Sequence, residues 1–188
     1  MIYGKQIKDI LDFKDSLYVL SGSLKALSRL LLKELKALEC NNLKATDHLL
    51  EEKTQLGVSL DVNLHTLKKN WLQIFPDKNS ATLSVMLKNI EDMRKHHAQD
   101  NMLKLAWNGC VVFIKEIIVN FTEIKKNIEG NKIIINKYIK YYKNSSIFWS
   151  SLFPKICSLL FRFTQCLLHV LGVVLWPTMN LLHHKMPL

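Results

Sequence analysis

Apolar residues recur at alternating steps of three and four along the first half of the chain. The first series is Ile10, Phe13, Leu17, Leu20, Leu24, Leu27, Leu31 and Leu38. The second series, in which lysine takes one apolar position, is Leu49, Lys53, Leu56, Leu60, Leu64, Leu67 and Trp71. This spacing is typical of long helices that each carry one narrow apolar seam. Because another helix must bury so narrow a seam, the pattern predicts an antiparallel helical hairpin.

The ends of both helices are marked by residues that favour turns or lack a backbone donor. The first helix is predicted over about residues 5–39. Its Ser-Gly-Ser triplet at 21–23 is interpreted as a tolerated weak point or a local bend, since glycine costs about 1 kcal/mol relative to alanine. The turn is expected at residues 40–42, with Thr46 as the N-cap of the second helix. Pro76 should end that helix near residues 71–75.

A third apolar series predicts one more long helix, from the turn after Pro76 to Glu129. Its N-cap is expected at Asn79 or Ser80, and its end at Gly130-Asn131. The series is less regular over residues 93–100 and consists of Leu83, Leu87, Ile90, His97, Leu103, Val112, Ile118, Phe121 and Ile128. Three long helices in this order predict an all-α fold, an elongated antiparallel helical bundle with coiled-coil-like packing.

The composition changes after this bundle, which divides the chain into residues 1–130, a basic connecting segment at 131–145 and a hydrophobic tail at 146–188. The connecting segment either continues as helix or lies exposed. Within the tail, residues 163–182 contain no Asp, Glu, Lys or Arg, and about 20 apolar residues can span a bilayer. Gln165, Pro177 and Asn180 count against a span. The tail is interpreted as a membrane anchor or hairpin, as a helix folded onto the bundle, or as a non-native extension.

Basic residues are concentrated towards the C-terminal end. The net charge of the chain is +10, and residues 130–188 hold seven Lys and Arg residues and no acidic residue. Such a segment favours anionic membranes or nucleic acids. No nucleic-acid-binding motif accompanies it, so we do not predict a nucleic-acid partner.

The sequence carries no catalytic or metal-binding motif. Its four cysteines show no CxxC spacing, and the histidine pairs at 96–97 and 183–184 are adjacent, so they diverge on a helix. Phosphate-loop, dinucleotide-binding, zinc-protease and nucleophile-elbow motifs are absent. We therefore predict a non-enzymatic protein without catalytic, cofactor-binding or metal-binding residues. Unpaired thiols and an N-terminus without an apolar signal region predict a cytoplasmic location.

The second helix opens with a segment that resembles a family signature. Residues 49–60 read Leu-x-x-Glu-Lys-x-x-Leu-x-x-x-Leu after a long helix and a turn, and this order resembles the FlgN family of flagellar export chaperones. A second similarity is an Asn-Gly pair followed by aliphatic residues, although Leu105 stands where the family usually has another asparagine. The match covers about residues 5–130, and its motif residues are Glu52, Lys53, Leu56, Asn108 and Gly109.

The resemblance implies a binding protein. FlgN-type chaperones bind C-terminal helices of hook-filament junction proteins, keep them soluble and deliver them to the type III export gate in the cytoplasm. An apolar groove is the site such a helix needs, and one stretch of the third helix is aliphatic over more than one face. Its residues are Val111, Val112, Ile114, Ile117, Ile118, Val119, Phe121 and Ile124, and all but Val119 are the predicted client-binding residues. The alternative interpretation is that these side chains pack on the first two helices or on the tail.

Two polar residues occupy positions where the repeats favour apolar ones. Lys53 is interpreted either as a snorkelling lysine whose stem covers apolar neighbours, or as a buried polar residue that fixes the register of the bundle. Asn108 presents the same choice.

The tail supports a second function of another class. Under this alternative, the protein is a tail-anchored structural or adaptor protein. Its bundle is a coiled coil that residues 156–182 hold at a membrane.

Overall fold

Four helices make up the described part of the chain. The computed structural model describes residues 2–40, 42–78 and 82–142, so the predictions for the tail at 146–188 lie outside the described residues. The helices are α1 (Ile2–Glu39), α2 (Leu43–Ile74), α3 (Leu83–His96) and α4 (Asn101–Tyr142). Because these residues include no strand, the predicted all-α helical bundle is confirmed.

α1 and α2 form the predicted antiparallel hairpin. Lys53 Nζ of α2 donates to Glu34 Oε1 of α1 at 2.6 Å, and further along α2 Asn63 Nδ2 donates to Ser23 Oγ at 2.9 Å, so the two helices run in opposite directions. The predicted apolar seams meet in the core. Their most deeply buried residues are Ile10, Phe13, Leu17, Leu20, Leu24, Leu31, Leu60 and Trp71.

The extents of α1 and α2 follow the sequence closely. α1 is continuous through residues 21–23, which confirms that the triplet lies inside one helix. α2 ends at Ile74, two residues before Pro76. The repeat and the proline together were sufficient to define this hairpin.

The helix caps differ from those predicted. Asn42 caps α2, since its Oδ1 accepts a hydrogen bond from the backbone N of Ala45 at 3.1 Å. The prediction of Thr46 as the cap is wrong, because Thr46 lies inside the helix and is buried. α3 is capped by Thr82, and the predicted caps at residues 79 and 80 lie outside the described residues.

The third predicted helix is divided into two. α3 ends at His96, and α4 begins at Asn101 after a turn. Asp100 Oδ1 accepts hydrogen bonds from the backbone N of residues 102 and 103, both at 3.1 Å. Aspartate is a strong N-cap and suits the positive end of the helix dipole. Apolar residues continue on both sides of this turn, so their period alone predicted one helix.

α4 runs past its predicted end at Gly130-Asn131 and reaches Tyr142, so the predicted stop is wrong. The boundary drawn at residue 130 therefore falls inside a helix, and residues 131–142 of the connecting segment are helical. Glycine inside a helix costs about 1 kcal/mol. Contacts beyond it offset this cost, since Ile135 is buried and Asn131 Nδ2 donates to Glu34 Oε2 at 2.7 Å.

α4 lies parallel to α1. Its Asn120 bonds to Ser21, and seven residues later its Asn127 bonds to Ser28, so contacts advance in the same direction on both helices. α1 contacts α2 as well as α4, and α3 packs on α4. α1 is therefore the helix around which the bundle is built.

Cys110 lies in the core, where burial raises the pKa of its thiol to about 12. The thiol stays protonated near neutral pH, whereas the thiolate is the species that alkylating agents attack. We expect iodoacetamide to modify exposed Cys40 in the native protein and to modify Cys110 only after denaturation. Mass spectrometry of the two peptides measures this, and equal modification in the native state would contradict the burial of Cys110.

Candidate binding surface

The aliphatic residues predicted to bind a client divide between core and surface. Val111, Ile114, Ile117 and Ile124 are buried and belong to the core cluster. Phe121 is half-buried, Ile118 is 36% exposed and Val112 is 60% exposed. The seven residues therefore do not form one surface. The four buried residues lie in the core, where the alternative interpretation places them.

The two motif residues on α4 contact neighbouring helices. Asn108 is half-buried, and its Oδ1 accepts a hydrogen bond from Arg94 Nη1 of α3 at 3.5 Å. Gly109 faces α1, where a Cβ added to it would lie 2.8 Å from Lys14 Cδ. Both residues thus lie at the edge of the core.

The motif residues on α2 have separate environments. Glu52 pairs with His48 one turn earlier, with 3.0 Å between Oε1 and Nδ1, on the surface of the helix. Leu56 is half-buried and packs against both clusters of core residues. Lys53 is the most deeply buried of the three, at 9% exposed.

Lys53 belongs to a buried polar triad that joins three helices. The Glu34 carboxylate of α1 accepts from Lys53 Nζ of α2 and, on its other oxygen, from Asn131 Nδ2 of α4. Glu34 is 2%, Asn131 6% and Lys53 9% exposed. The structure thus supports the interpretation of Lys53 as a buried polar residue. Burial of these charges is tolerable because each has an oppositely charged or hydrogen-bonding partner.

Two further polar pairs line the seam between α1 and α4. Asn120 Nδ2 donates to Ser21 Oγ at 3.2 Å, and Asn127 Nδ2 donates to Ser28 Oγ at 3.1 Å. Each amide also reaches the backbone O of the same serine at 3.3 Å. With the triad, these polar contacts cross the seam between α1 and α4 at three levels.

An ion pair crosses the outer edge of the same seam. Glu116 of α4 bonds to Lys25 of α1 and accepts a hydrogen bond from Ser21 Oγ at 2.9 Å. The hydrogen bond from Lys25 and, next in size, that from Ser21 lower the pKa of the Glu116 carboxyl below its usual 4.5. The pair therefore stabilises the fold above about pH 4.5, and this contribution disappears as the pH falls through the lowered pKa.

Exposed apolar residues form two rows at heptad spacing, and together these rows are named the α1–α4 surface. The row on α1 is Leu11, Tyr18, Lys25 and Leu32, and the row on α4 is Leu105, Val112, Val119, Lys126 and Ile133. One lysine interrupts each row. The exposed fractions of the apolar members run from 38% for Leu11 to 70% for Leu105.

Both rows flank the same seam. Residues three or four apart on a helix are neighbours. The α4 row is thus adjacent to Gly109 and Glu116, which face Lys14 and Lys25 of α1. On α1, Tyr18 is adjacent to Lys14, and its ring contacts that of Phe113 on α4 with centroids 5.4 Å apart. The two rows therefore lie side by side on one surface.

Sequence reasoning missed both the polar seam and the exposed rows. A signal for the seam was present, because Ser21 and Ser28 are seven residues apart, as are Asn120 and Asn127. The rows carry the same period of seven. The sequence could not distinguish these rows from core positions, because α4 has aliphatic residues on several faces. Only the packing of the helices shows which face is covered.

Within residues 2–40, 42–78 and 82–142, no group of His, Cys, Asp and Glu side chains could hold a metal ion. Among the same residues, no helix has the length and apolar character needed to cross a membrane. Neither a family model, a curated protein nor a solved structure matches the chain.

Proposed function

We propose that this protein binds an amphipathic helix of a client protein on its α1–α4 surface, in the manner of a flagellar export chaperone. Such a function needs an apolar surface of helical period and no catalytic group. The clients would be hook-filament junction proteins, bound through their C-terminal helices, kept soluble in the cytoplasm and delivered to the type III export gate. The resemblance of residues 5–130 to the FlgN family supports these identities.

The observation that carries the proposal is the exposure of regularly spaced apolar side chains. Leu105, Tyr18 and Val112 are each at least 60% exposed, and large exposed apolar patches mark interaction sites. Scattered exposed residues would need no explanation. Here they follow two parallel rows with a period of seven, which matches the seam of a third helix lying along the groove between α1 and α4.

A pair of matched substitutions tests the surface. Val112→Asp should weaken binding of a C-terminal helix of a hook-filament junction protein at least about tenfold, or ~1.4 kcal/mol, because a charge would enter the apolar contact. Val62→Asp on α2 is the control, since Val62 is equally exposed at 60% and lies on another helix outside the α1–α4 surface. Titration by fluorescence anisotropy gives both affinities.

Both variants should keep the helical circular dichroism of the parent, because both side chains are largely in solvent. Equal affinities for the two folded variants would exclude the α1–α4 surface as the client site.

The composition of residues 163–182 favours a second candidate function, that of a tail-anchored structural or adaptor protein. These residues contain no Asp, Glu, Lys or Arg. Cell fractionation separates the two functions. Membrane retention that resists alkaline extraction, and that disappears when the chain is truncated at Asn144, would support the anchored protein.

A further inference from the structure

We infer that the helix bound by the α1–α4 surface has acidic flanks on either side of its apolar seam. This inference rests on the proposed function, and it specifies the chemistry of the partner. It follows from the charges that border the two rows.

Basic side chains outnumber acidic ones along this border. Seven basic residues stand in the rows or one helical turn from a row residue, leaving out Lys25, whose charge is matched by Glu116: Lys8, Lys14, Arg29, Lys36, Lys115, Lys126 and Lys137. The acidic residues at equivalent positions are Asp15, Glu123 and Glu129. A helix laid between the rows would therefore have positive charge along both its edges.

These charges are available to a partner. Lys8, Arg29, Lys115 and Lys126 are exposed, and none of them forms an ion pair with another described residue. In helical bundles, charges that flank the apolar seam select the partner and its orientation. Glutamate and aspartate on the edges of the partner would meet the basic border, whereas lysine there would be repelled.

Two synthetic peptides of four heptads test the inference. They share leucine at the a and d positions and carry either glutamate or lysine at the e and g positions. The full chain should bind the acidic peptide at least about tenfold more tightly at low salt, and this advantage should shrink as salt screens the border. Equal affinities would overturn the inference. Failure of both peptides to bind would overturn the proposed function itself.

Charge reversal on the protein locates the effect. The double substitution Lys115→Glu and Lys126→Glu should remove most of the preference for the acidic peptide. Lys68→Glu with Lys69→Glu on α2, which are also exposed, should leave it unchanged. A preference that survives the first pair of substitutions would overturn the inference.

Other occupants of the surface give different results. When no peptide is added, the new cysteine of the Val112→Cys variant should react with maleimide in the full chain. Mass spectrometry of its peptide distinguishes it from the exposed Cys40. Protection of the new cysteine would assign the surface to residues 143–188 or to a second copy of the chain. Sedimentation equilibrium distinguishes these two, and either result overturns the inference.

Discussion

Glu34→Ala is expected to destabilise the bundle by about 3–5 kcal/mol, the usual cost of removing one partner of a buried ion pair. The Lys53 ammonium, 9% exposed, would lose the carboxylate that neutralises it. Asn131 would lose the same carboxylate as a hydrogen-bond acceptor. One substitution thus weakens contacts of α1 with both α2 and α4. Urea unfolding followed by circular dichroism at 222 nm measures the change in the free energy of unfolding.

Glu51→Ala is the matched control, because Glu51 is a carboxylate exposed on α2 and its loss should change stability by less than about 0.5 kcal/mol. Replacing the three members together, by Glu34→Met, Lys53→Met and Asn131→Leu, should recover most of the loss, since apolar residues of similar volume often substitute for buried ion pairs without cost. A loss in Glu34→Ala no larger than that of the control would show that the triad does not form.

Trp71→Ala should cost about 3–5 kcal/mol, because it removes a large buried aromatic side chain and leaves a cavity. Trp71 is 1% exposed, and its ring lies between Phe13 and Phe75, with centroid distances of 5.6 and 4.2 Å. Its Nε1 donates to the backbone O of Lys78 at 3.0 Å, which ties the end of α2 to the turn that follows. The same urea titration measures the loss.

One further variant separates packing from hydrogen bonding at this position, and another serves as an exposed control. Trp71→Phe keeps most of the ring contacts and removes the donor, so its loss should be clearly smaller than that of Trp71→Ala. Val58→Ala, at a site 63% exposed on α2, should have little effect. Unfolding midpoints that coincide for Trp71→Ala and Val58→Ala would be incompatible with the core described here.

The hairpin was predictable from the sequence because its information is local. The apolar period fixes which face of α1 and α2 is buried, and Pro76 fixes where α2 ends. The end of α4 depends instead on the burial of Ile135 and on Asn131 finding a partner in α1, 100 residues away in the chain, and no local signal reports this. Gly130 was a misleading stop for that reason. Tertiary contacts there outweigh the intrinsic preference of the residue.

The candidate surface was harder to predict for a related reason. Periodicity identifies a core face only when polar residues occupy the other faces. Between Val111 and Val119 aliphatic residues occur on almost every face of α4, so sequence alone assigned Ile117 and Val112 to one site. The structure separates them, because the neighbouring helices bury Ile117 completely and leave Val112 60% exposed.

The parallel arrangement of α1 and α4 has a consequence for the order in which the chain folds. Glu34 meets Lys53 across a separation of 19 residues, but it meets Asn131 across 97. Closing the longer loop costs about 1.4 kcal/mol more in chain entropy, and α4 is also synthesised after α1 and α2. The hairpin is therefore the favoured first structure, and the side of α1 that awaits α4 stays in water meanwhile. That side carries Ser21 and Ser28 among its apolar residues, and until α4 arrives water takes the hydrogen-bonding positions that Asn120 and Asn127 later fill.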